Sequence, residues 1–92
     1  MLKPTIGGGL LQDFLRLLPE GVGCIPLHIG IQEARTEEFF DLFPIVKQRF
    51  QRFADLNVDV IGFWGSPFTI LRGHGSDVKM AKDVWEKHGI PL

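Results

Sequence analysis

Apolar positions along the chain switch between helical and strand spacing in a regular order. Leu10, Leu11, Phe14, Leu15, Leu17 and Leu18 recur at helical spacing behind three glycines, and Pro19 with Gly21 ends the pattern, which predicts a short first helix. Val22 to Ile29 carries Val22, Cys24, Ile25, Leu27 and Ile29. It is too brief and too rich in β-formers for a helix, so it predicts a strand, and Pro26 places that strand at a sheet edge. Thr36 followed by Glu37 and Glu38 has the form of an N-cap with acids in the first turn, ahead of Phe39, Phe40, Leu42 and Phe43. Pro44 is tolerated only near the start of a helix, so Ile45, Val46, Phe50, Phe53, Ala54 and Leu56 belong to a kinked or restarted one, which Asn57 can close in the left-handed conformation. The near-continuous apolar run Val58 to Trp64 predicts a central strand covered on both faces. Ser76-Asp77 then caps a last helix containing Val78, Met80, Ala81, Val84 and Trp85, which His88 and Gly89 end; Ile90-Pro91-Leu92 reads as the opening of another strand.

The order helix, strand, helix, strand, helix implies an α/β fold with a parallel sheet and crossover helices. Such a sheet needs neighbours on both sides. Met1 to Lys3 is too short to supply the strand that should precede the first helix, and the chain stops where the next strand should begin. Residues 1–92 are therefore expected to form a single, incomplete α/β domain whose sheet is completed by further sequence or by another chain.

Composition narrows the function classes. At 92 residues, 45% of them hydrophobic and with eight Phe and two Trp, the chain can build one small core. Ten basic residues against eleven acidic ones give a net charge of −1 with no run of either sign, which argues against nucleic acid or a membrane surface as partner. Cys24 stands alone, so no disulfide can form within the chain and no cysteine set is present to ligate a metal. A reducing, cytoplasmic setting is expected, with no cofactor.

Ligands of open parallel sheets bind outside the carboxyl ends of the strands, and three segments qualify. Pro4-Thr5-Ile6-Gly7-Gly8-Gly9 could turn backbone N–H groups toward an anion, or serve as a flexible connector. His28 to Arg35 holds an imidazole, Glu33 and Arg35, otherwise read as solvated loop charges. Gly65-Ser66-Pro67-Phe68-Thr69, with Arg72-Gly73-His74-Gly75 beyond it, follows the predicted central strand. There two hydroxyls, a glycine and a guanidinium could hold a carboxylate or a developing enolate. Cys24 is expected to be a buried, inert thiol in mid-strand, His74 and His88 to be surface residues, and Phe39, Phe40, Phe43, Phe50 and Phe53 to form core.

At Phe14-Leu15-Arg16-Leu17-Leu18-Pro19-Glu20-Gly21-Val22 and Val58-Asp59-Val60-Ile61-Gly62-Phe63-Trp64-Gly65-Ser66, the chain resembles the aspartate/glutamate racemase superfamily, in its maleate cis-trans isomerase and arylmalonate decarboxylase branch. The likeness covers the first of that family's two related α/β halves, which together enclose a small carboxylic acid. Gly65 stands at the position of the first of the family's two cysteines, which looks more like the decarboxylases; these keep only the cysteine of the second half. They lose CO2 through an enediolate held by hydroxyls and backbone amides, and the remaining cysteine delivers a proton. By this resemblance Ser66 is the catalytic hydroxyl and amide donor and Pro4 and Thr5 form the opposite lip; Gly65, Pro67 and Thr69 of the same loop are the further expected substrate-binding residues.

Two residues depart from the family pattern. Pro67 stands where the decarboxylases carry a serine, and it supplies neither a hydroxyl nor an N–H; one lost oxyanion donor costs ~3 kcal/mol of transition-state stabilisation. The tyrosine expected near the start of the second helix is Phe39 or Phe40 here. The expected function is the front part of a cofactor-independent decarboxylase or isomerase of a small carboxylic or dicarboxylic acid, inactive without the cysteine-bearing half, with a homo-oligomer or that complementary half as partner. The alternative is a non-catalytic α/β module that pairs with another chain through open sheet edges. Phosphate or flavin binding through Gly7-Gly8-Gly9 lacks an acidic ribose partner and a full glycine fingerprint.

Overall fold

The computed structural model describes residues 1–4, 9–64 and 66–92, and the side chains of these except Gly9, Leu10 and Ser66. The elements run β1 (Leu2–Lys3), α1 (Gly9–Leu17), β2 (Leu27–His28), α2 (Thr36–Asp41), α3 (Phe43–Asp55), α4 (Ser66–Ile70) and α5 (Ser76–His88). β1 and β2 pair in parallel, Leu2 opposite Leu27 and Lys3 opposite His28, so the chain is an α/β fold.

Backbone bonding extends the order beyond those two strands. Leu2 N–H donates to the Gly62 carbonyl at 2.7 Å and Trp64 N–H donates to the Leu2 carbonyl at 2.9 Å, which makes a parallel bridge between Leu2 and Phe63. Ile61 N–H in turn donates to the Pro91 carbonyl at 2.9 Å. Across the sheet the chain therefore runs in the order β2, β1, the 61–64 segment and the 90–92 segment.

Three strand expectations need correction. Met1 to Lys3, expected to be too short for a strand, supplies one that is bonded on both sides. The expected strand 22–29 shrinks to Leu27–His28, because β1 offers so little backbone to pair with and Pro26 has no N–H to donate. The run 58–64 joins the sheet through the Phe63 bridge with its flanking bonds and through Ile61 to Pro91, and Val60 is 61% exposed, so it is not covered along its length. The expected loop 66–69 is also corrected: it forms α4.

Helix expectations hold more closely. Pro44 lies in the first turn of α3, where its missing N–H costs nothing, and the chain restarts there after α2 as expected. Asn57 closes the turn after α3 at φ 56°. Thr36 and Ser76, however, are the first helical residues rather than the caps, a difference of one position.

The core gathers where α3 and α5 cover the sheet. Val46, Phe50 and Phe53 of α3, at i, i+4 and i+7, join Leu2, Ile61, Phe68, Met80, Val84 and Ile90. Phe39 meets Phe68 edge to face at 5.0 Å, and Phe63 lies 6.0 Å from both Phe50 and Phe68. Phe39, Phe50 and Phe53 are thus core, as expected, whereas Phe40 is exposed and Phe43 half-buried.

α5 ends on Gly89 at φ 69°, with the Gly89 N–H donating to the Trp85 carbonyl at 2.8 Å. This cap turns the chain so that Ile90 is buried and Pro91 reaches Ile61. No neighbouring atom lies within 4 Å of a Cβ built at Gly89, so only the backbone conformation resists a side chain there. Gly89→Ala is expected to lose about 1–2 kcal/mol of unfolding free energy in urea denaturation, and Gly89→Asn to lose less, because asparagine tolerates the left-handed region.

Candidate functional site

The sheet order places a topological switch point between β1 and the 61–64 segment. The chain leaves β1 toward β2 on one side and leaves 61–64 toward 90–92 on the other, so the connections diverge and open a crevice at the carboxyl ends of both. A cleft of about 780 Å3 occupies this end of the sheet. Pro4 lines it from the end of β1, Phe63 and Trp64 from the neighbouring segment, Pro67 and Thr69 from α4, and Leu92 from the last segment. The first turns of α5 close one side with Asp77, Val78, Met80 and Ala81.

Three of the residues expected at the site, Pro4, Pro67 and Thr69, therefore share one cleft although they come from distant parts of the sequence. Thr5 and Gly65 lie outside the described residues, as do Gly7, Gly8 and the Ser66 side chain. Arg72 is not brought there. Its guanidinium stacks on Phe43, 3.7 Å from the ring centroid, on the wall of a separate groove, because α4 and the turn after it carry it away from the strand ends. His74 is exposed as expected, and His88 is half-buried.

The walls are mostly apolar. Trp64 packs edge to face on Phe14 of α1 at 5.0 Å, so α1 is tied to the cleft wall through an aromatic pair. Asp77 is the sole titratable residue among the described lining residues and was not anticipated as part of a site. Its position in the first turn of α5 was read as helix-start chemistry, a role it also fills. Lys3 was missed as well. It immediately precedes Pro4, is only 2% exposed and is not without a partner. No sequence signal marks it: Met1 to Lys3 has little strand signature, and only the pairing of β1 on both sides puts this lysine out of water.

Cys24 differs from its expectation. It lies half-buried outside any strand, at the opposite, amino end of the sheet, near the Met1 amino group. Met1 also donates to the Ile25 carbonyl at 2.9 Å. The thiol is therefore separated from the cleft by the length of β1. Among the described residues no group of three or more His, Cys, Asp and Glu could hold a metal, and no helix is long and apolar enough to cross a membrane.

The segment 28–35 has a structural explanation. The Glu38 carboxylate accepts the backbone N–H groups of Gln32, Glu33 and Ala34 at 3.0, 3.1 and 2.9 Å. Ala34 adopts φ 58°, which turns its N–H into this arrangement. The Glu33–Arg35 ion pair beside it, at 2.8 Å, is solvent-exposed and contributes little. The His28 carbonyl accepts Nε of Arg49 at 2.8 Å, so the outer edge of β2 is capped by a guanidinium from α3.

The Gln32 N–H foremost, with those of Glu33 and Ala34 and the charge of Arg35 adding to it, holds the Glu38 carboxyl below its ordinary value of 4.5; desolvation opposes them. A folded-state value below the unfolded one stabilises the fold fully above the unfolded value, and the benefit is lost as pH falls through the folded value. The thermal midpoint is expected to drop as pH falls below about 4.5. Glu38→Gln, scanned in parallel, should show a shallower drop and a lower midpoint near neutral pH.

Comparison of the chain with protein-family models, with curated proteins and with solved structures finds no match.

Proposed function

We propose that this chain is the front part of a cofactor-independent decarboxylase or isomerase that acts on a small carboxylic or dicarboxylic acid through an enediolate-type intermediate, as in the maleate isomerase and arylmalonate decarboxylase branch of the racemase superfamily. One observation carries this: Pro4, Pro67 and Thr69 converge on a single cleft at the carboxyl ends of two adjacent parallel strands. Its apolar walls suit an aryl or alkyl group, which Trp64 and Val78 would flank.

In the decarboxylation, the bond between the α-carbon and the departing carboxylate breaks, CO2 leaves, and the electron pair spreads onto the oxygens of the remaining carboxylate. Ser66 is assigned to hold that enediolate. A thiol then protonates the α-carbon. Cys24 cannot do so from the amino end of the sheet, so the proton donor must face the cleft from the cysteine-bearing half. Asp77 opposes a second negative charge nearby, which favours substrates whose carboxylates are held at the Ser66 side of the cleft.

Pairing through an open sheet edge, the non-catalytic alternative, loses its best surface at β2. Arg49 already occupies the outward His28 carbonyl there.

The experiment is an assay of the protein completed by a cysteine-bearing half, in one polypeptide or as a mixture, against substituted malonates, maleate and amino acids. CO2 release or isomerisation is expected, with Ser66→Ala lowering kcat by about 10²–10³. Absence of turnover across the panel would overturn the proposal. In the chain alone, with Trp85→Phe leaving Trp64 as the single indole, an arylmalonate is expected to quench Trp64 fluorescence saturably. Unchanged emission would count against the cleft as the substrate site.

A further inference from the structure

A second concavity, of about 320 Å3, lies between α3 and α5. Its floor is apolar: Phe43 and Phe50 come from α3, Met80 and Val84 from α5. Its rim carries four cations, Lys47, Arg72, Lys79 and Lys87, against one carboxylate, Asp83. A local excess of three positive charges thus sits on a chain whose net charge is −1.

These cations are not there to neutralise acids. Asp83 lies one helical turn from both Lys79 and Lys87, yet among the described residues neither lysine closes an ion pair with it, and Lys47 and Arg72 pair with no acid either. Lys47 and Arg72 instead flank the Phe43 ring, at 5.5 and 3.7 Å from its centroid. Stacking fixes the plane of the Arg72 guanidinium and leaves its in-plane N–H groups for an acceptor. Gathering like charges around an apolar concavity has an electrostatic cost, which a bound anion would remove; such a concavity also focuses potential toward anions.

We propose that this groove binds a small amphiphilic anion, with its carboxylate or phosphate head among Arg72 and the lysines and its short apolar body against Phe43, Phe50 and Met80. The size is that of a small-molecule site and too small for a folded partner's surface. The inference does not depend on the catalytic assignment, since the cleft and the groove are separate and Ser66 has no part in it.

The test is an amide NMR titration of the full chain with octanoate and with octyl phosphate, using inorganic phosphate and octyltrimethylammonium as comparison probes. Saturable shifts are expected at α3 and α5 residues around the groove with either octyl anion, octanoate and octyl phosphate together showing which head group is preferred. In Lys79→Glu/Lys87→Glu, whose helices are checked by circular dichroism, affinity for both should fall about tenfold or more. Arg72→Lys should weaken octyl phosphate while keeping the charge. Inorganic phosphate binding as tightly as octyl phosphate would reduce the groove to a charge sink. Equal binding of octyltrimethylammonium would reduce it to apolar adsorption. Either result, or shifts confined to the cleft around Trp64, overturns the proposal.

Discussion

The structure hangs on the pairing of the first three residues. Leu2 is fully buried and bonded on both sides, to Gly62 and Trp64 on one and through its neighbours Met1 and Lys3 to Leu27 and Ile29 on the other. In a parallel sheet none of these contacts is local, so each must close a long loop before it stabilises anything. The two-residue β1 therefore fixes the position of everything else: it sets the register of β2, brings Phe63 over the α3 face, and places Pro4 at the mouth of the cleft. The short pairing is offset by side chains. Phe53, Val46, Ile61 and Phe68 are essentially inaccessible and pack around Leu2, so the core holds a sheet whose ladder alone is too short to be stable.

This dependence explains which parts of the fold were legible in the sequence. Helices reveal themselves locally. The spacing of Val46, Phe50 and Phe53, the restart at Pro44, the αL turn at Asn57 and the Gly89 cap all follow from residues within one or two turns of each other. Strands in a parallel sheet are defined by partners far away in sequence. Val22 and Ile25 have the composition of a strand, but β1 has no backbone left to pair with them, and both are exposed. Met1 to Lys3 has almost no strand signature, yet it is flanked on both sides. Strand propensity cannot register this, because it describes a segment and not its neighbours.

The site divides in the same way. That ligands gather at the carboxyl ends of parallel strands is a topological rule, and it selected Pro4, Pro67 and Thr69 without coordinates. Arg72 was misassigned because a guanidinium seven residues beyond Gly65 is close in sequence whichever way α4 turns. The turn itself is set by packing, with Phe68 buried against Phe39 and Phe63, and by the Ser76 hydroxyl, which donates to the Thr69 and Gly73 carbonyls. These contacts swing the chain after Ile70 toward α3, and the aromatic face of Phe43 receives Arg72. Asp77 and Lys3 escaped notice for a related reason. A helix-start acid and a strand lysine both have ordinary local roles, and only the sheet order reveals that one borders the cleft and the other lies buried beside it.

α5 ties the two concavities together through a division of charge around its axis. Asp77, Val78 and Ala81 face the cleft, whereas Ser76, Lys79, Asp83 and Lys87 fall on the groove, spaced by three or four residues so that they form a stripe. Met80 lies between and lines both. The helix thus presents one acid toward the cleft and two lysines with one acid toward the groove, and its dipole offsets part of that contrast. Asp77 sits at the positive helix end beside the cleft, while Lys87 and His88 sit at the negative end beside the groove. The anion proposed for the cleft would meet the Asp77 charge and need hydrogen-bond donors to hold it against that charge, whereas the anion proposed for the groove would meet the lysines of the helix that flanks it. The same helix therefore imposes opposite electrostatic demands on its two sides. A carboxylate in the cleft would need preorganised hydrogen-bond donors, and an anion in the groove would need an apolar body of suitable size to turn attraction into specific binding.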